Sequence, residues 1–432
     1  MGLATLLSLV LIQGPFLTEG YCYPLSVLPG DSVTVYLSFD QKENNYPVKL
    51  FDLGGKEVAR YRANVFPQET AVEKPWENGF GYKATLKIVT PRLKSGVYVW
   101  ENKVPLIIRS PNPKIVVVYT SNTENAYCNA GGKGLYDFNS SDKLSAQKVS
   151  FLRPISLPKH SEAFLRWFQH QNFKDVGYIT DADLDNYSSW RKAELLLIVG
   201  HSEYWTLEAR KNFDRFVEEG KNAIVLSGNT MWWQVRYSKK KDQLICYKLK
   251  EDPGKSKRLK TTNWTDPELE YPIINSIGAD FPRAGYGRKV DKGWDGYKIV
   301  TASPLLEGTN LKKGDILKLA SDENDGAPLA GFDNKGFPML DYAALGFNKI
   351  EIVGFDHVFR INDSVATWIV FKRTKSSGII INAASTDWCS SEGMGDENVK
   401  KITLNMINKL LKKGNVFSSE LSIQNHRIVG SR

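Results

Sequence analysis

Four side chains that can move protons or hold cations stand in one unbroken run, His201-Ser202-Glu203-Tyr204, with Gly200 before them and Trp205 after. His201 is placed to act as a general base toward a bound water, and placed equally well to cap the strand end that precedes it. Ser202 sits in Gly-His-Ser-Glu-Tyr, which half matches the Gly-x-Ser-x-Gly nucleophile elbow. A bulky Tyr204 in place of the last glycine hinders that strained turn and counts against Ser202 as a nucleophile. Of five histidines (His160, His170, His201, His357, His426) no two have ligand spacing, and His-Glu-x-x-His is missing, which excludes a zincin. What remains is oxygen, from Glu203 and several tyrosines, a donor type suited to a hard cation such as ferric iron rather than zinc.

The elements that must carry this run are legible. Residues 195–199 are a continuous apolar stretch, the pattern of a strand buried on both faces, ended by Gly200. Thr206 is then an N-cap, with Glu208 in the first turn, Ala209, Phe213, Phe216 and Val217 at helical spacing, and Gly220 as the stop. Further strands are expected at 115–119, 175–180, 223–226 and 379–382, with helices at 161–172 and 398–411. Alternating strands and helices imply an α/β fold built on a doubly wound parallel sheet. The segments after successive strands meet at the carboxyl edge of such a sheet, where ligands bind. Here they are 120–127, 201–205, 227–233 and 385–388, each rich in polar and aromatic residues. Capping and packing explain any one of them; all four together mark a site. Asn229 and Asp387 are expected to hydrogen-bond substrate, and Trp205, Trp232 and Trp233 to wall the pocket.

Residues 21–110 alternate with period two and show no helical period, which predicts a small N-terminal all-β sandwich (immunoglobulin- or fibronectin-like). Ser110-Pro-Asn-Pro113 is a stiff linker, and the α/β domain is expected over 113–415. Within it, 236–375 is too long for one crossover and reads as a β-rich insertion packed over the sheet's edge. Residues 1–20 are expected as a leader or disordered start, and 416–432 as a tail. The net charge of +9 is largely local: between positions 239 and 260 stand nine Lys/Arg and three Asp/Glu, hence +6. Such an insert reads as a solvated loop, so no nucleic acid is expected as partner. Four scattered cysteines without a Cys-x-x-Cys argue against a disulfide framework or a structural zinc. Residues 3–12 are apolar but too short to span a bilayer, and no other segment is a membrane candidate. The expected address is cytoplasmic, with export on an N-terminal signal as the alternative.

The order of motifs resembles the C-terminal region of the large subunit of N,N-dimethylformamidase and the bacterial proteins related to it. The matching pieces are Ser95-Gly-Val-Tyr98, Thr123-Glu-Asn-Ala-Tyr127, Gly131-Gly-Lys-Gly-Leu-Tyr136, Phe151-Leu-Arg-Pro154, Gly200-His-Ser-Glu-Tyr-Trp205, Gly228-Asn-Thr-Met-Trp-Trp233 and Ser385-Thr-Asp-Trp388. The resemblance implies a sheet similar to that of class I glutamine amidotransferases. It also implies an amidohydrolase with mononuclear, ferric iron held by two tyrosines and one glutamate. The glutamate falls on Glu203, the catalytic histidine on His201, one tyrosine on Tyr127 and the other on Tyr98, with Tyr136 as its competitor. The implied partner is a small-molecule amide; a homo-oligomer and a small companion subunit are left open. Two rival readings stand beside it: a metal-free hydrolase using Ser202, and a non-catalytic protein that binds a glycan or cell-wall polymer in an aromatic cleft.

Overall fold

The computed structural model describes residues 14–254, 256–287, 296–357 and 365–419. Residues 3–12, His426 and the tail beyond 419 lie outside the described residues. The N-terminal part is all-β: a three-stranded sheet (Leu17–Tyr23, Ser32–Phe39, Leu86–Val89) faces a five-stranded one. The latter runs in the order Ser26–Val27, Val104–Ile108, Gly96–Trp100, Glu43–Asp52, Glu57–Val65. Alternate residues such as Val33, Val35, Leu37, Leu50, Tyr98 and Trp100 fill the space between them. The first strand begins inside the stretch expected as leader.

A nine-stranded mixed sheet organises the rest. Its strands are β1 (Ile115–Tyr119), β2 (Val176–Thr180), β3 (Leu195–Gly200), β4 (Asn222–Ser227), β5 (Tyr297–Ile299), β6 (Ile316–Leu317), β7 (Lys349–His357), β8 (Val365–Lys372) and β9 (Ile379–Asn382), in the order β2-β1-β3-β4-β9-β8-β7-β5-β6. From β2 to β9 the pairing is parallel, with β1 between β2 and β3. The chain therefore reverses its direction of travel between β1 and β3, the switch point at which doubly wound sheets open a crevice. Beyond β9 the pairing turns antiparallel. The region expected as an excursion over the edge thus supplies four strands that extend the sheet itself. The reason lies in composition: β7 and β8 are near-continuous runs of buried apolar residues, which need covering on both faces.

Helices cover both faces. Against one lie α1 (Glu162–Phe168) and α2 (Glu397–Leu411), through Phe164, Leu165, Phe168, Val399, Ile402, Met406 and Leu410. Val416 and Phe417, in the stretch expected as tail, are buried in the same core. Against the other face lies α3 (Leu207–Glu218), through Ala209, Phe213, Phe216 and Val217. Its N-terminus is capped as anticipated, Thr206 Oγ1 accepting the Ala209 N–H at 3.0 Å. The sandwich docks on the same core through Val97, Val99 and Ile107, and Ser95 Oγ accepts the Tyr178 N–H. Among the described residues no helix is long and apolar enough to cross a membrane.

Candidate functional site

The crevice is assembled from four strand ends and one loop. After β1 the polypeptide turns directly into a short helix, Ser121–Tyr127, where a loop was expected. Asp181, at the end of β2, accepts the Asn122 N–H at 2.7 Å and so fixes its start. Tyr127 ends this helix, and the backbone returns through Gly131 and Gly132 to bring Tyr136 alongside. Arg153, wholly buried, clamps that return: it donates to Asn125 O and Oδ1, Ala130 O and Lys133 O. The Tyr127 and Tyr136 hydroxyls stand 3.1 Å apart, and the Tyr136 O–H donates to Glu203 Oε1 at 2.6 Å.

Glu203 arrives from β3. Gly200 leaves the strand at φ +78°, and a Cβ there would meet Ser161 Cβ at 2.8 Å and His160 O at 2.9 Å. Only glycine fits this position, and it turns His201, Ser202 and Glu203 inward, each less than a tenth exposed. The Glu203 N–H donates to Thr123 Oγ1, tying the two strand ends together. His201 Nε2 lies 3.5 Å from Glu203 Oε2 and 3.3 Å from Glu323 Oε2. Its ring touches those of Tyr127 and His160, each with centroids 5.6 Å away.

Glu323 was not anticipated. It sits on a short strand, Glu323–Gly326, inside the insertion, and no motif surrounds it. The tertiary fold brings it in: Thr386 exchanges hydrogen bonds with its backbone, and Asp387 Oδ2 accepts the Asp322 N–H at 2.7 Å. Asp387, expected on the substrate, is a brace for this strand. Asn229 donates Nδ2 to Glu323 Oε2 at 2.8 Å and leaves Oδ1 without a hydrogen-bond partner. Lys248 was read as part of a solvated basic loop, yet its ammonium lies 3.1 Å above the Tyr136 ring and 5.0 Å from that of Trp233. Asp252 holds the loop that carries it, through a two-pronged pair with Arg236 and the Thr261 N–H.

Tyr98 is elsewhere. Its ring packs in the sandwich core and its hydroxyl donates to the Lys94 carbonyl at 2.8 Å. Period-two alternation puts it on the inner face of its strand, so the competing Tyr136 takes the place beside Tyr127. Trp233 lies beside Lys248, and Trp232 meets it in edge contact, 5.8 Å between centroids, while packing on Phe281. Trp205, expected as a wall, packs instead on Phe213 beneath α3, with its indole N–H donated to Ser202 O and Oγ. That bond occupies Ser202 Oγ, while His201 faces carboxylates instead.

The charges are tightly interlocked. Burial pushes the Tyr127 and Tyr136 phenols far above their usual range, and the Glu203 carboxylate pushes them further. Burial also raises the Glu203 carboxyl, against the pull of His201. Burial works to lower the His201 imidazolium, but Glu323 and Glu203 outweigh it and hold the group up at about 9. Two phenols and a carboxyl stripped of water cannot all ionise without a cation among them. The His201 imidazolium and the Lys248 ammonium are two such cations; a hard metal ion would be a third, and oxygens linked in succession from Tyr127 to Tyr136 to Glu203 are donors of the type it favours. Glu203 Oε2 is buried, makes no hydrogen bond and faces His201 Nε2 at 3.5 Å. Among the described residues no group of three or more His, Cys, Asp or Glu side chains could hold a metal ion.

No curated protein matches the sequence. A family model described as N,N-dimethylformamidase beta subunit-like, C-terminal, matches residues 50–398, from inside the sandwich to the start of α2. The match takes in every residue of the crevice, and the chain belongs to that family.

Proposed function

We propose that the protein is an amidohydrolase that cleaves the C–N bond of a small amide, with one iron held by Tyr127, Tyr136 and Glu203. The family description supports the reaction class. The observation that carries the assignment is the convergence of three oxygens from separate segments, 3.1 and 2.6 Å apart in succession, beside His201. The parallel strands in the order β2-β1-β3-β4-β9 support the amidotransferase-like reading of the core. The beta-subunit wording of the family description supports a companion subunit, checked by co-purification.

When bound, the iron would act as a Lewis acid toward the substrate carbonyl. The protein's own groups do the rest. His201, acting from the neutral form that gains population as pH rises toward about 9, takes a proton from the attacking water as the water oxygen bonds to the carbonyl carbon, then delivers it to the nitrogen as the C–N bond breaks. A carboxylic acid and an amine leave. Glu323 stabilises the imidazolium formed in between, and Asn229 keeps that carboxylate aimed at Nε2. The Lys248 ammonium favours negative charge on the tyrosine pair and Glu203. Trp233, beside Lys248, excludes bulk water from that side of the crevice.

The test is metal analysis with an absorption spectrum on the purified protein, together with amine release from short amides. One iron per polypeptide, a visible phenolate-to-iron band and turnover lost in His201→Ala are expected. Amide turnover by a colourless, iron-free protein would overturn the metal assignment.

A further inference from the structure

A cavity of about 190 Å³ lies between the segment 264–274 and the start of the strand Asp280–Tyr286. Its wall is firm. The buried Arg210 guanidinium stacks on the Trp264 and Tyr271 rings, 4.5 and 3.9 Å from their centroids, and donates to Tyr271 O and Pro272 O. Two of the side chains that line the cavity are buried yet only half used. Trp264 is 1% exposed, and among the described residues its indole N–H has no acceptor. Asp280 is 3% exposed; its Oδ2 accepts from Arg283, while Oδ1 has no donor among the described residues. A buried donor and a buried acceptor are each costly to leave unpaired, and here both border one space. Trp232 links this cavity to the crevice. Its carbonyl accepts the Trp264 N–H at 3.0 Å, and its ring packs on Phe281 and on Trp233, which lies beside Lys248.

We infer that this cavity is a second binding site, for a small uncharged amide that carries an N–H. Its carbonyl accepts from Trp264 Nε1 and its N–H donates to Asp280 Oδ1. Charge and size select the class. Arg283 already balances Asp280, so a neutral guest fits, whereas an anion would face the Asp280 and Glu270 carboxylates that line the space. An ammonium ion would satisfy Asp280 but leave the indole N–H unpaired. The volume of about 190 Å³ is that of roughly six waters, room for a guest of about as many heavy atoms. None of the crevice's catalytic or metal-holding side chains lines this cavity, and the site stands or falls independently of the hydrolase reading.

The test is saturation-transfer NMR on the full-length protein with three probes: N-methylacetamide, N,N-dimethylacetamide, which lacks the N–H, and dimethylammonium chloride. N-methylacetamide is expected to bind saturably and the other two at least about fivefold more weakly, the worth of one buried hydrogen bond. Trp264→Phe keeps a ring and removes the donor, and should weaken N-methylacetamide about tenfold. Thr265→Phe places a bulky ring at an exposed position of the cavity wall, so it keeps the fold and should block binding. Circular dichroism checks the folding of Trp264→Phe; if that variant fails to fold, Thr265→Phe decides. No saturable binding, equal binding of the two amides, or binding unchanged in the folded variants overturns the site. Binding that survives Thr265→Phe and is lost in Glu203→Ala seats the amide in the crevice and likewise overturns it.

Discussion

Replacing Gly200 with alanine tests the hinge that delivers the site. Two costs add. The residue sits at φ +78°, a region that costs an ordinary side chain about 1–2 kcal/mol. The new Cβ would also stand 2.8 Å from Ser161 Cβ, where carbon atoms prefer about 3.5–4.0 Å, and such overpacking costs about 1–3 kcal/mol. The sum is about 2–5 kcal/mol, a large part of the roughly 5–15 kcal/mol that holds a domain together. Gly220→Ala is the control. Its φ of +85° carries the same conformational cost, but its nearest neighbour, Ser376 O, is 3.3 Å away, so about 1–2 kcal/mol is expected. Thermal and urea unfolding of the two variants read the difference, and a loss of roughly 5–15 °C is expected for Gly200→Ala. Relief of the clash must move His160 or His201, so amide turnover should fall more than stability alone explains. Equal destabilisation by the two substitutions would refute the close approach on which the hinge argument depends.

Tyr136→Phe removes the hydroxyl shared with Tyr127 and Glu203 and should abolish visible iron absorbance. Tyr98→Phe should leave absorbance intact and cost about 1 kcal/mol in unfolding, the worth of its bond to Lys94. Ser202→Ala should keep turnover within about threefold, whereas Glu323→Gln should lower kcat by about 10²–10³ in steady-state assays, the scale of lost proton-transfer catalysis. Asp252→Asn should cost about 2 kcal/mol at neutral pH by breaking the pair with Arg236 and loosening the Lys248 loop. Burial works to raise the Asp252 carboxyl, but hydrogen bonds from Arg236 and Thr261 hold it below its usual value. Its contribution is therefore present above about pH 4 and is lost as pH falls through the depressed value. Unfolding curves of the two proteins should converge below about pH 4.

The strand that ends at Gly200, the capped helix after it and the polar run His201–Glu203 were legible because each is set by neighbours along the polypeptide. Apolar continuity, an N-cap and a glycine act within a few residues, and a parallel sheet then obliges successive strand ends to meet. The same local rules could not choose between Tyr98 and Tyr136. Both stand in short glycine-containing motifs, and only packing tells which ring faces the sandwich core and which is carried to the crevice by the Arg153 clamp. Glu323 and Lys248 were out of reach for a related reason. They lie 120 and 45 positions beyond Glu203, in stretches with no periodicity of their own, and their roles exist only through contacts across the fold. Sequence determined which strands form and what chemistry their ends carry. Tertiary structure decided which distant oxygens and charges face one another, because burial and electrostatic pairing depend on distance in space and not on separation in sequence.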